Sequence, residues 1–299
     1  MRVTITGAGG FLGGRLAHVL AADARVTALR LVDHAGLPDL PGAERLIGDL
    51  CAPDLRAWAI EGADAVIHLA AIPGGAAEAD PALAQRVNLD ATMGLMQALR
   101  GSKVRFVFAS TVAVLGDALP DVVTDETPPA PTLLYGAQKA MVEVLLATYA
   151  RRGWLDGVAL RPAGIVARGG ADAGLKTAFL SRVFHALKRG EDVTLPVAPD
   201  GTTWLASVGV VARNFAHAAL IPDLGARRVL TLPALCLRFD ALVAALRAEY
   251  PDSPARVSYA PDPAIMAAFG CHPPLLTPAA DALGLRRDAD ARALVRAAF

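Results

Sequence analysis

Tyr135 and Lys139 stand four residues apart in Leu134-Tyr135-Gly136-Ala137-Gln138-Lys139-Ala140-Met141-Val142-Glu143, a stretch that reads as helix. That spacing puts both side chains on one helix face. A phenol near pKa ~10 is a poor base at neutral pH, but an adjacent ammonium stabilises its phenolate, so the pair suits acid and base work. The plain alternative is a tyrosine and a lysine on a solvated helix. Ser110 and Thr111 follow the apolar run Val104 to Phe108. Either hydroxyl, delivered at a strand tip, suits hydrogen bonding to a reacting oxygen, with turn or helix capping as the competing use.

A second constellation lies at the start of the chain. Gly7, Gly10 and Gly13 have the spacing GxxGxxG directly after the β-rich run Arg2 to Thr6, and Phe11 and Leu12 open the helical pattern that follows. Gly7 suits a tight turn, Gly10 lets backbone approach a diphosphate, and Gly13 lets the helix pack on the sheet, with the helix N-terminus facing the phosphates. Asp33 closes the second apolar run 20 residues after Gly13. A carboxylate there accepts hydrogen bonds from the adenosine ribose hydroxyls and repels a 2′-phosphate, which favours NAD over NADP. Weaker signals are Asp49 and Leu50, placed for the adenine or for capping the helix that follows through Pro53, and Leu69-Ala70-Ala71, small side chains suited to lining a cofactor.

These residues need a scaffold. Strand-like runs at Arg2 to Thr6, Val26 to Val32, Ala65 to Ala70, Val104 to Phe108 and Gly157 to Arg161 alternate with helical patterns that include Leu55 to Ile60, Pro81 to Leu99 and Tyr135 to Ala150. Such alternation implies parallel strands joined by right-handed crossovers, with ligands beyond their carboxyl ends. The predicted fold is α/β, a Rossmann-type doubly wound parallel sheet with a smaller C-terminal substrate lobe. The dinucleotide-binding domain is expected over 1–167 and the lobe over 168–299, with segments near 205–232 returning to the main domain. In the lobe, Leu175 to Lys188 reads as a helix.

The chain has 299 residues, 54% of them hydrophobic, enough for a sizeable core. Lys and Arg number 29 against 29 Asp and Glu, so no basic field exists to attract nucleic acid or anionic lipid. The mean hydropathy is +0.40, yet no run approaches the roughly 20 apolar residues of a membrane span. The opening MRVTITGAGG lacks the apolar core of a signal peptide, so a cytoplasmic protein acting on a small molecule is expected. Cys51, Cys236 and Cys271 have no ligand spacing; buried structural thiols are expected, with no metal site.

Together GxxGxxG, Asp33, His68-Leu69-Ala70-Ala71, Val87-Asn88, the hydroxyl pair before Val114-Leu115-Gly116, and YxxxK resemble the extended short-chain dehydrogenase/reductases, the NAD-dependent epimerase/dehydratase family, over nearly the whole chain. The resemblance implies NAD as cofactor, Tyr135 as acid/base, and Lys139 on the nicotinamide ribose and on Tyr135. It puts Thr111, counted back from Gly116, at the catalytic hydroxyl, with Ser110 as neighbour and substitute. Asn88, Tyr135, Lys139 and Pro162 complete the implied cofactor site, and a homodimer through the Tyr135 and Pro81 to Leu99 helices is common in the family. Thr203-Trp204-Leu205-Ala206-Ser207 stands where nucleotide-sugar epimerases carry a phosphate-binding Arg, which argues against a nucleotide sugar.

The closer likeness, in Val66 to Ala71 with Glu78-Ala79-Asp80, Tyr135 to Glu143, Arg152 to Gly157, and Trp204 to Ser207 with Arg213-Asn214, is to members that oxidise the C2 hydroxyl of a four-carbon, erythronate-like sugar acid. A carboxylate substrate needs a cation. Arg168 is the candidate, with Lys176 and Arg213 in reserve, and Trp204 is a candidate pocket wall or a core residue. An NAD-retaining epimerase or dehydratase is the alternative, and an NAD-binding protein without turnover the third reading.

Overall fold

The computed structural model describes residues 1–169 and 177–299. In chain order the strands are β1 (Arg2–Thr6), β2 (Ala28–Asp33), β3 (Glu44–Ile47), β4 (Ala65–His68), β5 (Arg105–Ala109), β6 (Asp156–Arg161), β7 (Gly164–Val166), β8 (Val193–Leu195), β9 (Thr202–Ser207), β10 (Val229–Thr231), β11 (Leu235–Arg238) and β12 (Val257–Tyr259). The helices used below are α1 (Phe11–Ala21), α2 (Pro53–Ile60), α3 (Gly74–Ala79), α4 (Pro81–Ala84), α5 (Thr92–Ala98), α6 (Leu134–Arg151), α7 (Ala178–Arg189), α8 (Val208–Leu220) and α9 (Phe239–Glu249).

The chain divides into two units, one of Met1–Gly116, Pro129–Arg161 and Ala212–Thr231, the other of Asp117–Pro128, Pro162–Val211 and Leu232–Phe299. The first is a parallel seven-stranded sheet in the order β10-β6-β5-β4-β1-β2-β3, a doubly wound Rossmann arrangement whose order reverses between β1 and β4. Its central strands are covered on both faces. Val3 and Ile5 of β1 have no exposure, and neither do Thr4 and Thr6 between them, as buried parallel strands require. The two threonines stay satisfied: Thr4 Oγ1 donates to the Ala59 carbonyl, and a 2.6 Å hydrogen bond joins Thr6 Oγ1 to His68 Nδ1.

Where the first domain was expected to run to residue 167, the first unit breaks off at Arg161 and resumes over Ala212–Thr231. The reason is strand pairing. β7 leaves the large sheet and pairs with β9, which pairs in turn with β11. Residues Asp117–Pro128 also belong to the second unit, through the bridge of Val123 to Leu275. That unit packs Phe179, Val183, Phe184 and Leu187 of α7 against Leu242 and Leu246 of α9, with Leu294 and Val295. α7 ends on Gly190 at φ 75, with Lys188 and Arg189 in its last turn, the usual glycine and cation signals of a helix C-terminus. Of the expected Leu175 to Lys188 helix, the start lies outside the described residues.

The Pro81 to Leu99 helix is not uniform. Between α4 and α5, Gln85–Ala91 winds as a π-helix. The extra residue per turn is a feature that recurs at functional sites, and here it carries Asn88. The cysteines also differ from expectation: Cys236 and Cys271 are exposed and Cys51 is half-buried; Cys236 is exposed because β11 alternates half-exposed and exposed residues. Among the described residues no group of three or more His, Cys, Asp or Glu could hold a metal ion, and no helix is long and apolar enough to cross a membrane.

Candidate active site

The large sheet delivers its functional side chains at the carboxyl ends of its strands. β5 ends at Ala109, and the next two residues are Ser110 and Thr111. The structure separates these two hydroxyls. Ser110 is buried and donates to Glu143 Oε1, so its proton is committed inside the protein. Thr111 is half-buried at the start of a 3-10 turn (Val112–Leu115), where its Oγ1 accepts the Ala113 N–H at 3.1 Å. An accepting bond leaves the Thr111 hydroxyl proton for an outside oxygen.

α6 brings Tyr135 and Lys139 to the same edge. Gly136 explains how. A Cβ there would lie 2.5 Å from the Ala113 carbonyl oxygen, so only glycine lets the turn after Thr111 pack against this helix beside Tyr135. The helix start has no side-chain cap from Leu133; instead Glu78 of α3 accepts the Leu134 N–H at 2.7 Å, which satisfies a free amide and puts a carboxylate at the positive helix end. Neither Gly136 nor Glu78 was assigned a role from sequence. A glycine directly after Tyr135 in a helix was the available signal for the first.

Lys139 is only 1% exposed. Its Nζ donates to the Ala109 carbonyl at 2.7 Å and lies 4.4 Å from the Phe108 ring centre and 5.6 Å from that of Tyr135. Burial pulls its ammonium down to about 7, and the Glu143 carboxylate one turn on opposes the fall. Behind it His68, sealed between Thr6 and Thr92 and stacked near Phe106 and Phe108, is pushed down to about 3, by burial first and by Lys139 second. His68 is therefore neutral, a satisfied core residue. Glu143 is held by Arg161 through two bonds of 2.8 and 2.7 Å.

The glycine turn lies at the tip of β1. Gly7 has φ 75, and a Cβ on it would sit 2.6 Å from the Ala70 amide nitrogen, so the turn is packed on Leu69 and Ala70. A Cβ on Gly13 would sit 2.1 Å from the Gly7 carbonyl oxygen, which locks α1 onto the turn. Gly9, not singled out in the sequence, is equally constrained, with the Gly36 oxygen 2.0 Å from its would-be Cβ. Gly10 differs: it is exposed and meets only the Gly7 oxygen at 3.3 Å. α1 begins there with no side-chain cap and no acidic residue in its first turn. Its leading N–H groups, headed by Phe11 and Leu12, thus lack a side-chain acceptor, the arrangement that receives a phosphate.

Residues 3–218 match the NAD dependent epimerase/dehydratase family. The chain belongs to that family. It is 38% identical over 264 residues to D-erythronate dehydrogenase of Cupriavidus necator, covering 83% of this chain and 81% of that one. It is 37% identical to D-erythronate dehydrogenase of Haemophilus influenzae, covering 76% and 75%. Among solved structures, a nucleoside-diphosphate-sugar epimerase from Agrobacterium tumefaciens superposes with a TM-score of 0.89 at 31% identity, over 99% of this chain and 92% of that one. A GalE-like L-threonine dehydrogenase from Cupriavidus necator, at 22% identity and a TM-score of 0.87 over 99% and 98%, shares the fold.

As a member of this family the chain is an NAD-dependent oxidoreductase of the extended short-chain type, acting on a small molecule. The open Gly10 and the uncapped start of α1 fit the diphosphate of NAD. Asp33 stands at the tip of β2, where Oδ2 accepts the Gly9 N–H at 2.8 Å and Oδ1 accepts the His34 and Ala35 N–H groups. It thereby ties the glycine turn to the strand where the adenosine end would lie. Exchanging it for a neutral side chain removes the like-charge penalty against a 2′-phosphate. Asp33→Ser is expected to lower the ratio of kcat/KM with NAD to that with NADP by about tenfold or more, read by paired initial rates; an unchanged ratio would deny Asp33 that role.

The remaining candidates divide. Asp49 accepts the Cys51 N–H at 2.8 Å and faces Arg86 at 3.6 Å, while the cap of α2 is Ala52; its helix-capping alternative is not what forms. Leu50 is buried, and Leu69, Ala70 and Ala71 are half-buried. Asn88 has its amide engaged, bonding both the N–H and C=O of Ile72 and donating to Gln138 at 2.7 Å, so the π-helix clamps the β4 loop to α6. Pro162 is buried.

In the second unit Trp204 is 2% exposed, with its indole N–H donated to Pro273 and His272 stacked on its face. It is a core residue, which corrects its reading as a pocket wall. Arg168 is half-buried and anchored by its backbone to Ser181 and His185. Arg213 is exposed on α8, and Lys176 lies outside the described residues.

Proposed function

We propose that this chain oxidises the C2 hydroxyl of a small sugar acid, D-erythronate or a close relative. The observation that carries the substrate is the match, over three quarters or more of the chain, to two relatives named D-erythronate dehydrogenase. The chemistry rests on side chains of α6 and of the turn that follows β5. Thr111 donates its hydroxyl proton to the reacting oxygen, Tyr135 takes the hydroxyl proton as base, and Lys139 stabilises the phenolate. NAD, bound at the glycine turn and Asp33, accepts the hydride. Arg168 is assigned to the substrate carboxylate. Arg168→Gln is expected to raise KM for the acid by about 10- to 100-fold with little change in kcat; an unchanged KM would move the assignment elsewhere.

A second reading draws support from the 31% identity to a nucleoside-diphosphate-sugar epimerase: oxidation and re-reduction on a retained NAD. The segment Thr203 to Ser207, without the expected Arg, counts against a nucleotide sugar. Absorbance at the NADH band separates the two. Stoichiometric NADH with D-erythronate or a related aldonate supports the dehydrogenase, and silence across a panel of hydroxy acids, with NAD surviving purification, supports the epimerase. The reading includes a homodimer, because Met93 of α5 and Met141 and Val144 of α6 are exposed apolar residues; sedimentation reads it.

A further inference from the structure

The spacing that joins Tyr135 to Lys139 is repeated once more on α6. Glu143 follows Lys139 by four residues, on the same face. It is as deeply buried as Lys139, at 2% exposure. A buried carboxylate is costly unless it is paired and its oxygens are satisfied. Here both are: Arg161 at the tip of β6 grips Oε1 and Oε2, and Ser110 at the tip of β5 donates to Oε1. The three residues join α6 to the ends of two strands directly beside Thr111 and the Ala109 carbonyl that accepts from Lys139.

The surroundings of Lys139 leave Glu143 a distinct task. On α6 it faces Tyr135 and Glu143, on β4 the neutral His68, on β5 the Phe108 ring and the Ala109 carbonyl, while Arg161 on β6 is taken up by Glu143. Glu143 is the carboxylate among them. An ammonium sealed from water needs such a counter-charge, or it discharges and ceases to stabilise a phenolate.

We propose that Glu143 is a positioning residue of the Tyr135–Lys139 pair: fixed by Arg161 and Ser110, its carboxylate holds Lys139 as the ammonium. This rests on the reading of Tyr135 as base, and it assigns Ser110 to the support of Glu143, apart from the reacting oxygen. Removing the carboxylate lets Lys139 lose its proton first, so that the Tyr135 phenolate must form beside a neutral amine.

Glu143→Gln alone strands a buried guanidinium and risks unfolding. The test therefore combines Glu143→Gln with Arg161→Met, which removes both charges together. Phenolate absorbance is titrated in the NAD-bound protein and referred to the same background carrying Tyr135→Phe, which isolates Tyr135 from the other tyrosines. In the double variant the phenolate is expected about one pH unit or more above its wild-type position. kcat at neutral pH should be about tenfold lower, with the NAD Kd unchanged, and Glu143→Asp should keep the wild-type titration. A double variant whose Tyr135 titrates as in the wild type overturns the proposal. The titration needs no substrate, so a failure of the sugar-acid reading, seen as a wild type without NADH production, is told apart from a failure of this one.

Discussion

Tyr135→Phe lowers kcat by about 10²- to 10⁴-fold, the span that a positioned general base contributes, and leaves NAD affinity within about threefold. The two halves of that expectation have separate causes. The substitution deletes one oxygen and keeps the ring, so the helix face presented to Lys139 Nζ, 5.6 Å from the ring centre, is retained. The diphosphate contacts are proposed at Gly10 and the start of α1, a different helix from the one that carries Tyr135. What disappears is the phenol oxygen proposed to take the substrate's hydroxyl proton. Steady-state kinetics with NADH absorbance, paired with NAD titration by fluorescence, reads both. A variant that keeps more than a tenth of wild-type kcat would transfer the base to another residue.

Lys139→Met follows by the same logic one step removed. Methionine fills similar volume in a buried site, but it removes the charge proposed to make the phenolate accessible. Tyr135 then titrates near the ordinary ~10, and at neutral pH kcat falls by about 10²-fold or more. The loss should be pH-dependent, since raising the pH populates the phenolate without help. The Lys139 ammonium, pulled to about 7 by burial with Glu143 opposing, and the Tyr135 phenol titrate as a coupled pair. In the wild type kcat for oxidation should therefore reach its plateau at lower pH than in Lys139→Met. A variant whose profile keeps the wild-type shape and merely scales down would mean that the lysine acts in binding alone.

The parts of this site that depend on local order were open to a reading of the residues. A strand, three glycines and a helix in succession, an acidic residue closing the next strand, and a tyrosine and lysine at helical spacing are each confined to a short window. Periodicity and turn chemistry report directly on such windows. Thr111 stands ahead of Ser110 only through the family resemblance, counted back from Gly116, and the residues themselves give no reason for the order. The choice turns on Glu143, 33 residues beyond Ser110, and on Arg161 across the sheet, and neither pairing leaves a local trace. Glu143 itself was hidden because a buried helix face carrying Gln138, Lys139 and Glu143 breaks the amphipathic pattern by which burial is inferred.

The same limit explains the other differences. The π-helical turn at Gln85–Ala91 has no periodic signature of its own within a helical run, and its effect appears only in what Asn88 clamps, Ile72 and Gln138. That β7 pairs with β9, some 40 residues later, was equally hidden; strand length and composition do not choose the partner. Trp204 could be either wall or core until His272 and Pro273, about 70 residues on, were seen to enclose it.

The claim on which the rest stands is that a hydride leaves C2 of the sugar acid for NAD while Tyr135 takes the hydroxyl proton. D-erythronate labelled with deuterium at C2 tests it in one experiment, with mass spectrometry of the coenzyme after turnover. One deuterium in the reduced coenzyme for each molecule oxidised is the expected result. Reduced coenzyme free of deuterium, or deuterium returned to the sugar with no net reduction, would contradict it.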